Sequence, residues 1–318
     1  MNDVVVAADL GGTHLRAALV DAAGTVTARR DRPTPQSATT PEILATIANL
    51  IEEVAGHAET RPLAACLGTP GLIDAEGGVV IIAPNIPGFR NLALAPLLAQ
   101  RTGMQVFIEN DASAAALGEH RFGAGKGTRH LLHATLGTGI GGGIVIDGKL
   151  YRGARGLAGE IGHIVVDIAG PRCNCGSRGC LEALVSGVAF AERAKKMIAA
   201  GGSPALFEIV GYREPTATDL YNAALRGDRQ CEAEIRHGGH VVGLALGGLV
   251  NVLNPEAVTL SGGLLNMGEM FTKPLRDAMY SIAYGPASGT IVRTTTLGDD
   301  AGLLGAAAVA FERLASPA

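Results

Sequence analysis

The sequence predicts an α/β fold built from two related domains, and three observations predict it. Short runs rich in β-branched residues alternate with longer helical patterns along the chain. Two of these runs open on the same unit, a strand, a glycine-rich turn and a second strand, once at 4–20 and again at 130–151. Strand–helix units follow each opening, the order expected of layered α/β domains. With 318 residues, 47% hydrophobic and 18% charged, the chain is long enough for two domains and apolar enough to give them cores.

In the first half, VVVAAD (4–9) reads as a buried strand, GGTH as a turn and LRAALV (15–20) as a second strand. TVTARRD, after the turn DAAG, makes a third. Thr40-Pro41-Glu42 supply the cap and first turn of a helix running to about residue 57. LAACLG (63–68) is a short apolar strand, and GLIDAEGGVV behind it is hairpin material. A helix at 91–102 precedes the strand MQVFIE, and ASAAALGEHRF continues as a helix directly after Asn110-Asp111.

The second half repeats the order. HLLHATL (130–136) is a strand, GTGIGG a turn, and GIVIDGKLY (143–151) a hairpin around Asp147-Gly148. Helical patterns dominate 182–253, followed by the strand AVTLSGG, a helix at 266–283, the strand TIVRTTTL and a final helix from about 300.

Composition narrows the function. A net charge of −4 leaves no basic footprint for nucleic acid and no polybasic membrane patch. The most apolar stretch, VVGLALGGLVNVL (241–253), is too short to span a bilayer and reads as a buried core helix. Five cysteines, an odd number, argue against a secreted disulfide framework. MNDVVVAADLGG has no basic leader region or cleavage-like site, so a cytoplasmic protein is expected.

Two glycine turns carry candidate chemistry. Asp9-Leu10-Gly11-Gly12-Thr13 joins two strands, and its backbone N–H groups with the Thr13 hydroxyl suit phosphate oxygens. Asp9 at the strand end can hold Mg²⁺ through water. An ordinary tight hairpin with a solvated aspartate accounts for the same residues. Gly137-Thr138-Gly139-Ile140-Gly141-Gly142 fits the dinucleotide glycine spacing, but that motif needs a helix next and a strand follows. Its likeness to the first turn points to phosphate instead. GAGKG around Lys126 fails as a phosphate-binding loop, because His120 and Gly127 stand where that motif needs glycine and a hydroxyl residue. Ser261-Gly262-Gly263 after an apolar strand allows close approach of a nucleotide.

Asp111 follows the strand VFIEN and opens a helix. Such an aspartate is either a helix cap or a general base that takes a hydroxyl proton during phosphoryl transfer. The loop 173–180 crowds Cys173, Cys175 and Cys180 just after Glu160-Ile161-Gly162-His163. One neutral imidazole and three thiolates complete a closed tetrahedral Zn²⁺ site, with no open position for catalysis.

These residues together resemble the ROK family of repressors, uncharacterised reading frames and sugar kinases. DLGGT, IEND, GTGIGGG, GEIGH and CNCGSRGCLE occur in the family's order along essentially the whole chain. The resemblance implies a two-domain actin-like ATPase (ribonuclease H-like) fold with an interdomain cleft. Residues 1–115, joined by the final helix at about 300–318, would form the first domain, and 116–299 a larger one carrying the zinc loop. It implies phosphorylation of a hexose at its 6-hydroxyl by ATP with Mg²⁺, with structural Zn²⁺ and a homodimer. Glucose is the expected sugar, with N-acetylmannosamine, N-acetylglucosamine, allose and fructose as alternatives. Asp111 becomes the base, while Asn110, Glu160, His163, Glu182 and Asn85 (in APNIPGF) contact sugar hydroxyls. Gly11, Gly12, Thr13, Thr138 and Gly139 hold phosphates, and Gly262 and Gly263 lie near the adenosine. His14 departs from the lysine that many members carry after GGT. Family repressors add an N-terminal helix-turn-helix, and a first strand at Val4 with an acidic chain argues against one here.

Overall fold

The computed structural model describes residues 3–35, 39–83, 86 and 88–315. The chain opens with β1 (Val4–Leu10), β2 (His14–Asp21), β3 (Val26–Pro33) and α1 (Thr40–Ala55). β4 (Ala65–Thr69), the meander β5 (Leu72–Asp74), β6 (Val79–Ile82) and β7 (Arg90–Leu92), and α2 (Leu94–Thr102) follow. β8 (Val106–Asn110) then runs into α3 (Asp111–Phe122). Next come β9 (Leu131–Leu136), β10 (Ile140–Ile146) and β11 (Lys149–Leu150), then a helical stretch, α4 (Leu181–Val185), α5 (Gly187–Ala199), α6 (Pro204–Val210), α7 (Ala217–Leu225) and α8 (Arg229–Leu253). β12 (Ala257–Ser261), α9 (Glu269–Ile282), β13 (Ile291–Thr294) and α10 (Ala301–Ala315) complete it.

The repeat legible in the sequence is a repeat of sheet topology. One sheet has the order β3-β2-β1-β4-β8 and the other β11-β10-β9-β12-β13. In the first, β1 pairs antiparallel with β2 and parallel with β4, and β4 parallel with β8. In the second, β10–β11 is antiparallel and β12–β13 parallel. The tight β10–β11 turn places Asp147 at φ 52° and Gly148 at φ 75°, which explains the Asp-Gly pair.

Met1–His133, Gly143–Gly159 and Thr295–Ala318 pack as one unit, and Ala134–Gly142 with Glu160–Thr294 as a second. α3, through which the expected boundary at 115/116 runs, packs on α10 and belongs whole to the first unit. The contact is close: a Cβ on Gly305 would fall 1.8 Å from the Ala114 carbonyl oxygen, so only glycine fits there.

Alternation along the first sheet divides its side chains between two cores. Val6, Ala8 and Leu10 face Ile47, Ile51, Leu94 and Leu98 of α1 and α2. Val5, Ala7 and Cys66 face Leu117 of α3 and Leu303, Ala307 and Val309 of α10. Both faces being covered explains why VVVAAD lacks a polar stripe. Burial of each such Leu, Ile or Val contributes about 1.5–3 kcal/mol.

Some boundaries shift. Thr39, not Thr40, caps α1, with its N–H donating to the Glu42 carboxylate (2.6 Å). α2 begins at Leu94 because Arg90–Leu92 pairs with β6 as a strand. The 266–283 helix divides into a 3₁₀ turn, Gly263–Met267, and α9, with Gly268 between them at φ 57°. Among the described residues no helix is long and apolar enough to cross a membrane.

Candidate active site

In the first unit, the end of β1 and the start of α3 bring two carboxylates into electrostatic contact. Asp9 lies between Gly68 of β4 and Gly302 in the first turn of α10. A Cβ on Gly302 would stand 3.1 Å from Asp9 Oδ1, and one on Gly68 3.5 Å from it. Burial, and then the negative charge of Asp111, push the Asp9 carboxyl up to about 7, against the pull of Arg16. The Arg16 guanidinium is 4.0 Å from Asp9, 3.4 Å from Asp31 and 3.6 Å from Asp299. The adjoining turn is braced by Thr34, whose hydroxyl donates to the Gly11 carbonyl (2.7 Å) and whose N–H donates to that of Thr13 (2.9 Å). Gly12, Thr13 and His14 are exposed on it.

Asp111 is not the helix cap. Asn110 takes that role, its Oδ1 accepting from the Ser113 N–H at 3.0 Å while its Nδ2 donates to the Gly71 carbonyl at 3.1 Å. Asp111 is therefore the first residue inside α3, with Oδ1 accepting the N–H of Ala112 (2.9 Å) and the carboxylate also meeting its own backbone N–H. Burial raises its carboxyl above the ordinary carboxylate value. A half-buried carboxylate of raised basicity is equipped to accept a proton.

One supporting pair escaped the sequence. Glu109, 3% exposed, precedes Asn110 and accepts its N–H on Oε1 (3.1 Å). Arg152 grips the other oxygen through Nε and Nη2, each at 2.7 Å. The residues lie 43 apart in sequence, so no local pattern announces them. Arg152→Met leaves this buried carboxylate without its counter-charge and is expected to cost roughly 3 kcal/mol of stability. Denaturant unfolding measures it, and a loss below about 1 kcal/mol would remove the pair from this account.

In the second unit, the turn Gly137–Gly139 lies between β9 and β10, and Ile140, Gly141 and Gly142 already belong to β10, so a strand and not a helix follows the first glycines. Gly187 and Val188 at the start of α5 donate their N–H groups to the carbonyls of Gly137 (2.8 Å) and Thr138 (3.4 Å). Gly262, at φ 97°, presses on the Leu136 backbone, where a Cβ would meet the carbonyl oxygen at 2.3 Å.

His163, Cys173, Cys175 and Cys180 converge, with one potential ligand atom from each within 4.8 Å of the others. Cys173 Sγ is 3.7 Å from His163 Nδ1, and Cys175 Sγ is 3.6 Å from Cys180 Sγ. A tetrahedral site with bonds of about 2.3 Å needs sulfur–sulfur edges of about 3.8 Å, so this donor set fits Zn²⁺. The Ser177 backbone draws the Cys175 thiol down to about 7, whereas burial pushes Cys180 up to about 12. Gly176 (φ 97°) and Gly179 (φ 69°) bend the loop, and Val165 bridges Cys180 across it. His163 turns its other nitrogen, Nε2, toward Glu160 Oε2 at 3.9 Å. Glu182, two residues beyond Cys180, reaches the glycine turn, with Oε2 accepting the Ile140 N–H at 2.9 Å.

Of the expected site residues, Asp9, Gly11, Gly12, Thr13, Asn110 and Asp111 thus belong to the first unit. Thr138, Gly139, Glu160, His163, Glu182, Gly262, Gly263 and the cysteines belong to the second. Asn85 lies outside the described residues.

The ROK family model matches residues 5–313. The chain belongs to the ROK family. A glucokinase of Thermotoga maritima is 38% identical to this ROK protein over 98% of both chains. The ROK hexokinase of Thermus thermophilus superposes with a TM-score of 0.85 at 35% identity, covering 98% of this chain and 99% of that one. A ROK glucokinase of Streptomyces griseus, solved with glucose and AMPPNP, gives 0.82 at 33% identity over 97% and 99% of the two chains. The fold is the actin-like ATPase fold of these kinases.

Proposed function

We propose that this ROK protein is an ATP-dependent hexose kinase that phosphorylates glucose at its 6-hydroxyl. The observation that carries the reading is Asp111, placed one residue past the cap of α3 and half-buried with a raised carboxyl, in a chain similar throughout to glucokinases. The 6-hydroxyl oxygen attacks the γ-phosphorus of ATP as its proton passes to Asp111. The bond from that phosphorus to the β–γ bridging oxygen breaks, and ADP leaves.

Asn110, Glu160, His163, Glu182 and Asn85 hold the other hydroxyls, each of which is both donor and acceptor. An epimer that turns one of these hydroxyls away leaves its protein partner unpaired, which discriminates between epimers. The turns at Gly11–Gly12–Thr13 and Thr138–Gly139 hold phosphates, and Gly262 and Gly263 lie along the adenosine. Asp9, with Asp111 beside it, forms an oxygen donor set that suits Mg²⁺, and burial first and the Asp111 charge second raise its carboxyl. Mg²⁺ held there would offset the negative charge of the nucleotide phosphates. Zn²⁺ on His163, Cys173, Cys175 and Cys180 holds the loop.

ADP release over a panel of glucose, mannose, fructose and the N-acetyl hexosamines tests the substrate. Glucose is expected to give the highest kcat/KM. Silence with glucose and turnover with an acetylated sugar would replace it as the substrate.

A further inference from the structure

The glycine turn of the second unit is not held by its own strands alone. Two elements that follow the cysteine loop, α4 and α5, and one segment that precedes it, at Gly162, close on it. The N–H groups of Gly187 and Val188 take the carbonyls of Gly137 and Thr138, and Glu182 Oε2 takes the N–H of Ile140. Gly139 leaves room for that carboxylate, since a Cβ there would meet Glu182 Oε2 at 2.5 Å. Gly162, between Glu160 and His163, abuts the same turn, where a Cβ would fall 2.1 Å from the Ile140 carbonyl oxygen. Among the described residues only one oxygen of Glu182 is engaged. The side chain is only half-buried, so Oε1 stays available to a ligand.

We infer that Glu182 is shared between two substrates: Oε1 takes a sugar hydroxyl while Oε2 holds the turn that cradles the nucleotide phosphates. This rests on the kinase reading and goes beyond it, because it makes the two binding events interdependent. A carboxylate pinned by a sugar hydroxyl holds the Ile140 N–H more firmly, and the ordered turn then costs the nucleotide less to bind. The Ile140 N–H in turn fixes the carboxylate rotamer that the sugar needs. Such coupling is reciprocal: whatever factor glucose adds to nucleotide affinity, the nucleotide adds to glucose affinity. Glu182 is a positioning residue toward the nucleotide, and its signature is the loss of that factor rather than weaker binding alone.

Calorimetric titration of Mg²⁺–AMPPNP with and without saturating glucose measures the factor. In the wild type, glucose is expected to tighten AMPPNP about tenfold, within the usual range of such couplings. Glu182→Ala is expected to bring the factor to about one and to weaken each ligand singly. Glu182→Asp keeps the charge but is one methylene too short to span both partners, and is expected to lose the factor as well. That second variant decides the matter if the alanine protein does not fold. A variant that retains the wild-type factor, or that loses glucose affinity with AMPPNP affinity and the factor intact, overturns the sharing. A wild type that binds both ligands with a factor of one overturns it too. A wild type that binds no sugar at all is a different failure, that of the kinase reading.

Discussion

Replacing Asp111 with asparagine is expected to lower kcat by about 10³-fold, the scale of a lost general base, with glucose affinity within a few-fold of the wild type. Asparagine is nearly the same shape, and its Oδ1 can still accept the Ala112 N–H that Asp111 accepts at 2.9 Å. The cap of α3 does not depend on it, because Asn110 accepts from Ser113. Only basicity is removed. A split in which kcat falls and sugar binding survives therefore separates a base from a structural aspartate. Equal ADP release by mutant and wild type would sink the assignment. The pH profile gives a second reading. Burial raises the carboxyl in the folded protein, and a base must be unprotonated, so activity should fall as pH drops through a value above the ordinary carboxylate range. Asp9, pushed up to about 7 in the absence of Mg²⁺, adds to the same acid limb.

The local features were legible in the sequence and the long-range ones were not. Glycine between two β-branched runs encodes a strand–turn–strand unit whichever half contains it, and both sheets then assemble in the same order. Three cysteines within eight residues, with a histidine upstream, encode a metal loop because ligand spacing is itself local. The sequence leaves Asp111 as either cap or base, and the structure gives the cap to Asn110. Asn and Asp are equally good caps, so adjacent ones cannot be ranked without the backbone. Nothing local foretold that Arg152 would neutralise Glu109, that Gly302 of α10 would make room for Asp9, or that Glu182 would bond to Ile140. Each of those contacts joins residues more than forty positions apart, and only the folded sheet brings them together.

Cys175→Ser is expected to lower bound zinc from about one equivalent to near zero and to weaken glucose binding by at least roughly tenfold. The thiol is exposed, so serine removes a ligand and little packing. The loop has backbone hydrogen bonds of its own, Cys173 N–H to the Ser177 carbonyl and Gly179 N–H to that of Pro171 (2.8 Å each), but few buried side chains. Arg172, Asn174, Gly176, Ser177 and Arg178 are exposed, and two of its glycines are in left-handed conformations that leave the unfolded chain with more freedom to lose. A structural zinc contributes folding free energy directly, which here means order in the segment from His163 to Cys180. Two carboxylates assigned to the sugar are tied to that segment at its ends. Glu160 Oε2 stands 3.9 Å from the Nε2 of His163, and Glu182 leaves Cys180 on the first turn of α4. A ligating imidazole whose second nitrogen meets a carboxylate fixes both groups at once. Loss of the metal should therefore be read in sugar affinity as well as in thermal stability, by elemental analysis and calorimetry on the same sample. If zinc is lost and glucose binds as tightly as before, the cysteine loop is a stabilising clasp with no part in orienting the sugar. If both fall together, the three thiols act through Glu160 and Glu182, and the coupling of sugar to nucleotide should fall with them.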